Sequence, residues 1–196
     1  MRDSKAINNH KTAYSDSVSD ERLLMLFASG DTPAFDVLYQ RHKSALFSFL
    51  RRQCNDIGVA EELAHDSWLA VIKQATGFQE NALFKTWLYR IAHNRLVDYW
   101  RKYGRSNDAL FAELSDVSRA LGQNADVVDR SSESIELAQL LSQLDTLSDE
   151  QTTTLLLKIE GFSHAEIASI TNTKQETVKS RLRYATQRLR VAMELT

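Results

Sequence analysis

The scarcity of proline constrains this chain more than any other feature: Pro33 is the only one in 196 residues, and glycine occurs six times. Proline removes a backbone donor and clashes with the preceding helical turn, whereas Leu, Ala, Glu, Lys, Arg and Gln, abundant here, oppose a helix little. No strand-like run alternating Val, Ile and Thr is present, so an all-α protein is expected. The length can bury a substantial core and suits two small domains. Cys54 is the single cysteine, which excludes an internal disulfide and a cysteine-cluster zinc site and fits a reducing compartment. The opening stretch MRDSKAINNHKTAYSDSVSD lacks the apolar core of a signal peptide, and no segment approaches a membrane span. A cytoplasmic protein without membrane insertion is expected.

Caps and apolar spacing place the helices. Residues 1–18 have no periodicity and read as a flexible tail. A first helix is expected over about 20–29, with Leu23, Leu24, Leu26 and Phe27 apolar and Gly30 as its stop. Thr32 then caps a long helix with Pro33 at its first position, where a missing N–H is harmless. Phe35, Leu38, Tyr39, His42, Leu46, Phe49 and Leu50 line one face of it, and His42 reads as a packed core histidine. After a break at 55–58, a third helix runs to about Ala75 with Ala60, Leu63, Ala64, Trp68, Val71 and Ile72 inward. Its other side carries Glu61, Glu62, His65, Asp66 and Gln74. Glu62-x-x-His65 has the spacing of a carboxylate-bridged metal pair, but such sites need a second copy on another helix, and none exists. No metal or cofactor is expected.

A fourth helix, capped by Asn81 and spanning about 83–102, is apolar nearly all round. Phe84, Trp87, Leu88, Ile91 and Tyr99 form one face, and Tyr89, His93, Leu96, Val97 and Trp100 the other. Between these rings stand Lys85, Arg90, Arg95, Arg101, Lys102 and Arg105, six bases against the one acid Asp98, a balance of +5. Bases that hold a phosphate backbone among rings that stack on unpaired bases suit single-stranded nucleic acid; a core helix with snorkelling basic ends is the alternative. Residues 106–150 reverse the sign, with ten acids against Arg119 and Arg130, a balance of −8. The overall charge of −2 thus hides two basic segments separated by an acidic one. Residues 106–133 read as an interdomain linker.

Helix formation resumes near Ser134, with Leu137, Leu140, Leu141 and Leu144 inward. Ser148 with Gln151 forms a capping box for a helix that Gly161 ends, although Thr152, Thr153 and Thr154 are poor helix material. In residues 163–190, SHAEIASITNTKQETVKSRLRYATQRLR, Ser163 with Glu166 and Thr173 with Glu176 form two further capping boxes around a turn at Thr171, Asn172 and Thr173. The last helix keeps Val178, Leu182, Ala185, Leu189 and Ala192 on one stripe. The opposite face carries Glu176, Lys179, Ser180, Arg183, Tyr184 and Gln187, flanked by Arg181, Arg188 and Arg190. Residues 174–190 hold six bases and one acid, a balance of +5. A basic helix after a short helix and turn suits the DNA major groove; a protein-binding helical hairpin is the other possibility.

The order FDVLYQRHKSALFSFLRR, EELAHDSWLAVI, FKTWLYRIAHNRLVDYWRK, an acidic linker, then LSDEQ, GFSHAEIASI and ETVKSRLRYATQRL resembles the extracytoplasmic-function (ECF) group of sigma-70 family sigma factors of bacterial RNA polymerase. The resemblance implies two helical domains, 19–105 for polymerase binding and promoter melting and 134–196 ending in the helix-turn-helix. It implies polymerase contacts at Glu62 and Asp66. A loop of Phe78, Gln79, Glu80 and Asn81 would capture a flipped base, and Tyr89, Arg90, His93 and Trp100 would meet the melted strand. Lys179, Ser180, Arg183 and Tyr184, with Gln187 and Arg181 beside them, would read the upstream promoter element. Partners implied are core RNA polymerase, promoter DNA and an anti-sigma factor, and the linker would thread toward the RNA exit path. A free-standing helix-turn-helix regulator would need its own dimer surface, and no such surface is evident. An enzyme would need a phosphate-binding loop, paired ligands or a nucleophile with a base, and none is present.

Overall fold

A computed structural model describes residues 14, 18–54, 56–79, 83–103 and 147–194. Most of the tail, Asn55, Glu80, Asn81, the linker 106–133 and the helix expected from Ser134 lie outside the described residues. Within them the elements are α1 (Asp20–Ala28), α2 (Thr32–Arg51), α3 (Ile57–Gln74), a 3-10 turn (Ala75–Gly77), α4 (Phe84–Tyr103), α5 (Asp149–Ile159), α6 (His164–Ile170) and α7 (Gln175–Glu194), with no strand.

Local chemistry sets most boundaries. The Ser19 hydroxyl accepts from Arg22 N at 3.2 Å and the Asp56 carboxylate from Gly58 N at 2.6 Å, opening α1 and α3. Ser148 with Gln151 and Ser163 with Glu166 close complete capping boxes on α5 and α6. Gly30 (φ 107°) and Gly161 (φ 92°) stop α1 and α5. Asp31 N then donates to Leu26 O at 3.0 Å and Phe162 N to Leu157 O at 3.2 Å, the 6→1 bond of a left-handed helix stop.

Two caps differ from expectation. Asp31, not Thr32, is the N-cap residue of α2, so Pro33 is one place further in. The Asp31 carboxylate makes no cap bond because the Tyr14 hydroxyl donates to it instead. At α7 the expected box does not form. The Glu176 carboxylate takes Lys179 Nζ at 2.7 Å, and the Thr173 hydroxyl pairs with that of Thr171 at 3.0 Å.

Helices α1 to α4 enclose Leu23, Leu24, Leu38, Leu46, Phe49, Leu50, Trp68, Val71, Phe84, Leu88 and Leu96. Fully burying each such side chain contributes about 1.5–3 kcal/mol. Ile72, expected inward, is 42% exposed, because it lies about 100° round the helix from buried Val71. Asp20 ties α1 to α2 through Arg41 Nη1 (2.8 Å) and His42 Nε2 (2.6 Å). Burial opposes its ionisation, yet the His42 and Arg41 hydrogen bonds prevail and hold its carboxyl below the usual range.

Helices α5 to α7 enclose Leu156, Leu157, Phe162, Ile167, Ile170, Val178 and Ala185. Apart from Ala185, these belong to the same continuous apolar cluster as the first four helices. The threonine run expected to weaken α5 is buried inside it: Thr152, Thr153 and Thr154 are all at most 2% exposed. Thr154 returns its hydroxyl to Glu150 O, which lets a polar residue stay within a helix.

Candidate nucleic-acid interface

The turn before α7 is built by Asn172, whose φ of 51° is the left-handed conformation that asparagine tolerates. It lets Thr173 N donate to Ala168 O at 2.9 Å and closes α6 against α7. Val178 and Ala185 are fully buried and Leu182 partly so, anchoring one stripe of α7. Lys179, Arg183, Tyr184 and Gln187 are exposed on the far side, while Ser180 and Arg181 are half-buried. The Ser180 hydroxyl donates to Thr177 O at 2.9 Å, and the Arg183 guanidinium lies 5.2 Å from the Tyr184 ring centroid. Such stacking holds a long side chain extended at little further entropic cost.

In the other half, the Phe78 ring meets Trp87 at 5.2 Å, and Gln79 is exposed. The first amide of α4, Phe84 N, donates to Glu21 Oε1 at 2.9 Å, a partner contributed by α1. Arg90 is exposed and Trp100 half-buried. Tyr89, by contrast, is completely buried, and His93 is half-buried with Nδ1 shielded and lacking a hydrogen-bond partner. Burial chiefly, and then the Arg181 charge, lowers the His93 pKa to about 4. Burial and the Glu160 carboxylate both raise that of Tyr89.

The cover over these residues comes from the C-terminal helices. Tyr89 packs edge-on against Phe162 at 4.9 Å and donates to Glu160 Oε2 at 3.3 Å. Lys85 Nζ donates to Glu160 O at 2.7 Å and sits 4.7 Å from the Phe162 ring centroid. Thr86 Oγ1 reaches Glu166 Oε1 at 3.1 Å, and buried Thr153 donates to Gln53, whose amide donates to Phe49 O at 3.1 Å. The sequence makes α4 apolar on both sides but does not say what covers the second side. Glu21, Gln53, Glu160 and Phe162 take part in these contacts without being singled out by the sequence pattern. Only Phe162 left a signal, an apolar residue directly before the Ser163 cap.

On α3, Glu62 is exposed, and Asp66 lies 3.6 Å from Arg95 of α4. Tyr39, Phe47 and Trp68 line an open groove beside Glu61 and His65. Among the described residues no three His, Cys, Asp or Glu side chains gather as a metal site, and no helix is long and apolar enough to cross a membrane.

A helix-turn-helix with a basic outer face, packed on a helical unit rich in rings and bases, defines a helical DNA-binding protein. Residues 38–106 match the family model for sigma-70 region 2, and residues 137–189 that for sigma-70 region 4. The RNA polymerase sigma factor NccH of Alcaligenes xylosoxydans xylosoxydans is 30% identical over 179 residues, covering 89% of this chain and 95% of that protein. The ECF RNA polymerase sigma-E factor of Haemophilus influenzae is 29% identical over 178 residues, covering 85% of this chain and 91% of its own length. Two solved structures share the fold, each at 23% identity. CnrH in complex with the cytosolic domain of CnrY has a TM-score of 0.66 and covers 91% of this chain and 99% of that one. RpoE in complex with the anti-sigma factor NepR from Bartonella quintana has a TM-score of 0.62 and covers 82% and 96%. The chain belongs to the sigma-70 family, in its ECF group. It is a sigma factor, which directs bacterial RNA polymerase to specific promoters at transcription initiation.

Proposed function

We propose that the two halves divide promoter recognition between them. Residues 134–196 read the upstream element through Lys179, Ser180, Arg183, Tyr184 and Gln187, with Arg181 flanking. Residues 19–105 dock on core polymerase and engage opened DNA through Phe78, Gln79, Glu80, Asn81 and the basic face of α4. The observation that carries this reading is α7 itself: one buried apolar stripe, with Lys179, Arg183, Tyr184 and Gln187 together on the exposed side. The work is done in the cytoplasm, where polymerase and chromosome meet, and involves no reaction of the chain's own.

Glu62 and Asp66 offer negative charge to the polymerase. Asp66 is already neutralised in part by Arg95, so Glu62 carries the larger share. Charge reversal at a docking surface converts attraction to repulsion. The Glu62→Arg, Asp66→Arg double variant should keep its helical spectrum and lose capture of core polymerase in a pull-down; capture at the wild-type level would refute the assignment. In the present arrangement Tyr89 lies under Glu160 and Phe162, and half-buried His93 is within reach of the Arg181 charge. Contact between Tyr89 and a melted strand therefore requires the halves to separate, and the closed arrangement is also one that an anti-sigma factor can hold. Transcription with core polymerase over a promoter library tests the whole reading. Promoter-specific initiation that depends on this chain is expected, and specific binding of duplex promoter by the chain alone, without polymerase, would favour a free-standing regulator.

A further inference from the structure

We propose that Glu21 is a positioning residue for promoter opening: from α1 its carboxylate fixes the first turn of α4, and with it the segment that meets opened DNA. This rests on the reading of Phe78, Gln79 and α4 given above. Consecutive residues on a helix point about 100° apart, so adjacent acids address different neighbours. Asp20 turns to α2, where Arg41 and His42 hold it at 2.8 and 2.6 Å. Glu21 turns to α4 and accepts from Phe84 N at 2.9 Å, across 63 positions of sequence. The first amides of a helix have no partner within it, and a carboxylate there gains from a charge-assisted bond and from the helix dipole. Glu21 thus satisfies, from another element, one of the amides that a helix start leaves open.

The surroundings make this a mechanical setting and not only a stabilising contact. Phe84 is fully buried, its ring 5.4 Å from His42 and 6.3 Å from Trp87, and Trp87 lies 5.2 Å from Phe78. Phe78 and Phe84 are therefore both fixed to one frame, and Glu21 sets the start of α4. Arg90, about two turns further along α4, is exposed, so a tilt of the first turn displaces it relative to Gln79. Glu21 itself is half-buried and takes no part in any exposed basic or aromatic face.

The test uses the full chain with core polymerase on duplex promoters and on promoters with a pre-melted bubble whose bases are varied. Glu21→Ala should bind polymerase as wild type does, open duplex promoters about tenfold more slowly, the scale of one charge-assisted bond, and discriminate less among bubble bases. Glu21→Gln retains an acceptor oxygen without the charge and should recover part of both. Glu21→Asp keeps the charge but is one methylene short, and should behave like Glu21→Ala. If Glu21→Asp and Glu21→Ala discriminate as wild type does while Gln79→Ala does not, the role of Glu21 is overturned and the reading segment stands. If the wild-type protein is itself indifferent to the bubble bases, both are overturned.

Discussion

Lys179 and Arg183 extend from the face of α7 opposite Val178 and Ala185, so truncating either removes reach without opening a cavity. Lys179→Ala and Arg183→Ala should each cost about 1–3 kcal/mol of upstream-element discrimination and leave polymerase affinity unchanged, as a transcription assay on promoters with and without that element would register. Equal loss on both promoters would remove them from base reading. His93 makes a different prediction. Its pKa of about 4 lies below the ordinary 6.5 because burial, helped by Arg181, disfavours the charged ring. The unfolded chain therefore binds more protons across that window, and the stability His93 contributes is lost as pH falls from 6.5 toward 4. Thermal midpoints measured across it should fall less steeply for His93→Gln than for wild type. Lys179, Arg183, Tyr184 and Gln187 lie on the exposed side, as the helical period predicts, because a 3.6-residue period needs only local information. The same period cannot place Tyr89, since its cover comes from Glu160 and Phe162, some 70 positions away.

At the scale of elements, the boundaries legible in sequence were those written in local chemistry. Gly30, Gly161, Ser148 and Ser163 announce stops and starts whose bonds close within a few residues. Two boundaries escape local reading because the partner is distant, Asp31 being taken by Tyr14 and Phe84 N by Glu21, whereas at α7 nearer side chains compete, Lys179 for Glu176 and Thr171 for Thr173. Asn172 is the sharpest case of local legibility, a turn residue at positive φ between α6 and α7. Asn172→Gly should be tolerated, whereas Asn172→Val, β-branched and unsuited to that conformation, should destabilise the C-terminal helices by about 1–3 kcal/mol. Chemical denaturation followed by circular dichroism would resolve the two. Ser163→Ala should cost about 1 kcal/mol by removing the cap of α6.

Across the whole molecule, the fold class and the order of helices followed from composition and periodicity, but the closure of one half on the other did not. Gln53, Glu160 and Phe162 look ordinary in sequence and become informative only when Thr153, Lys85 and Tyr89 lie against them. Phe162→Ala should loosen this closure, raising the radius of gyration in small-angle scattering while each half stays helical. Combining Gln53→Leu with Thr153→Val should be milder than Gln53→Leu alone, because a lone buried hydroxyl or amide is costlier than none; additive effects would show that the pair does not interact. The bond between Thr153 of α5 and Gln53 just after α2 has a further consequence. A joint lined with leucines would, once parted, leave two greasy plates prone to stick to themselves or to strangers. A hydroxyl and an amide, when parted, are simply wetted, water taking up the bond they had made to each other. Here the joint is part grease and part hydroxyl, so closing still excludes water around Phe162 while opening strands less apolar surface than an all-leucine seam would.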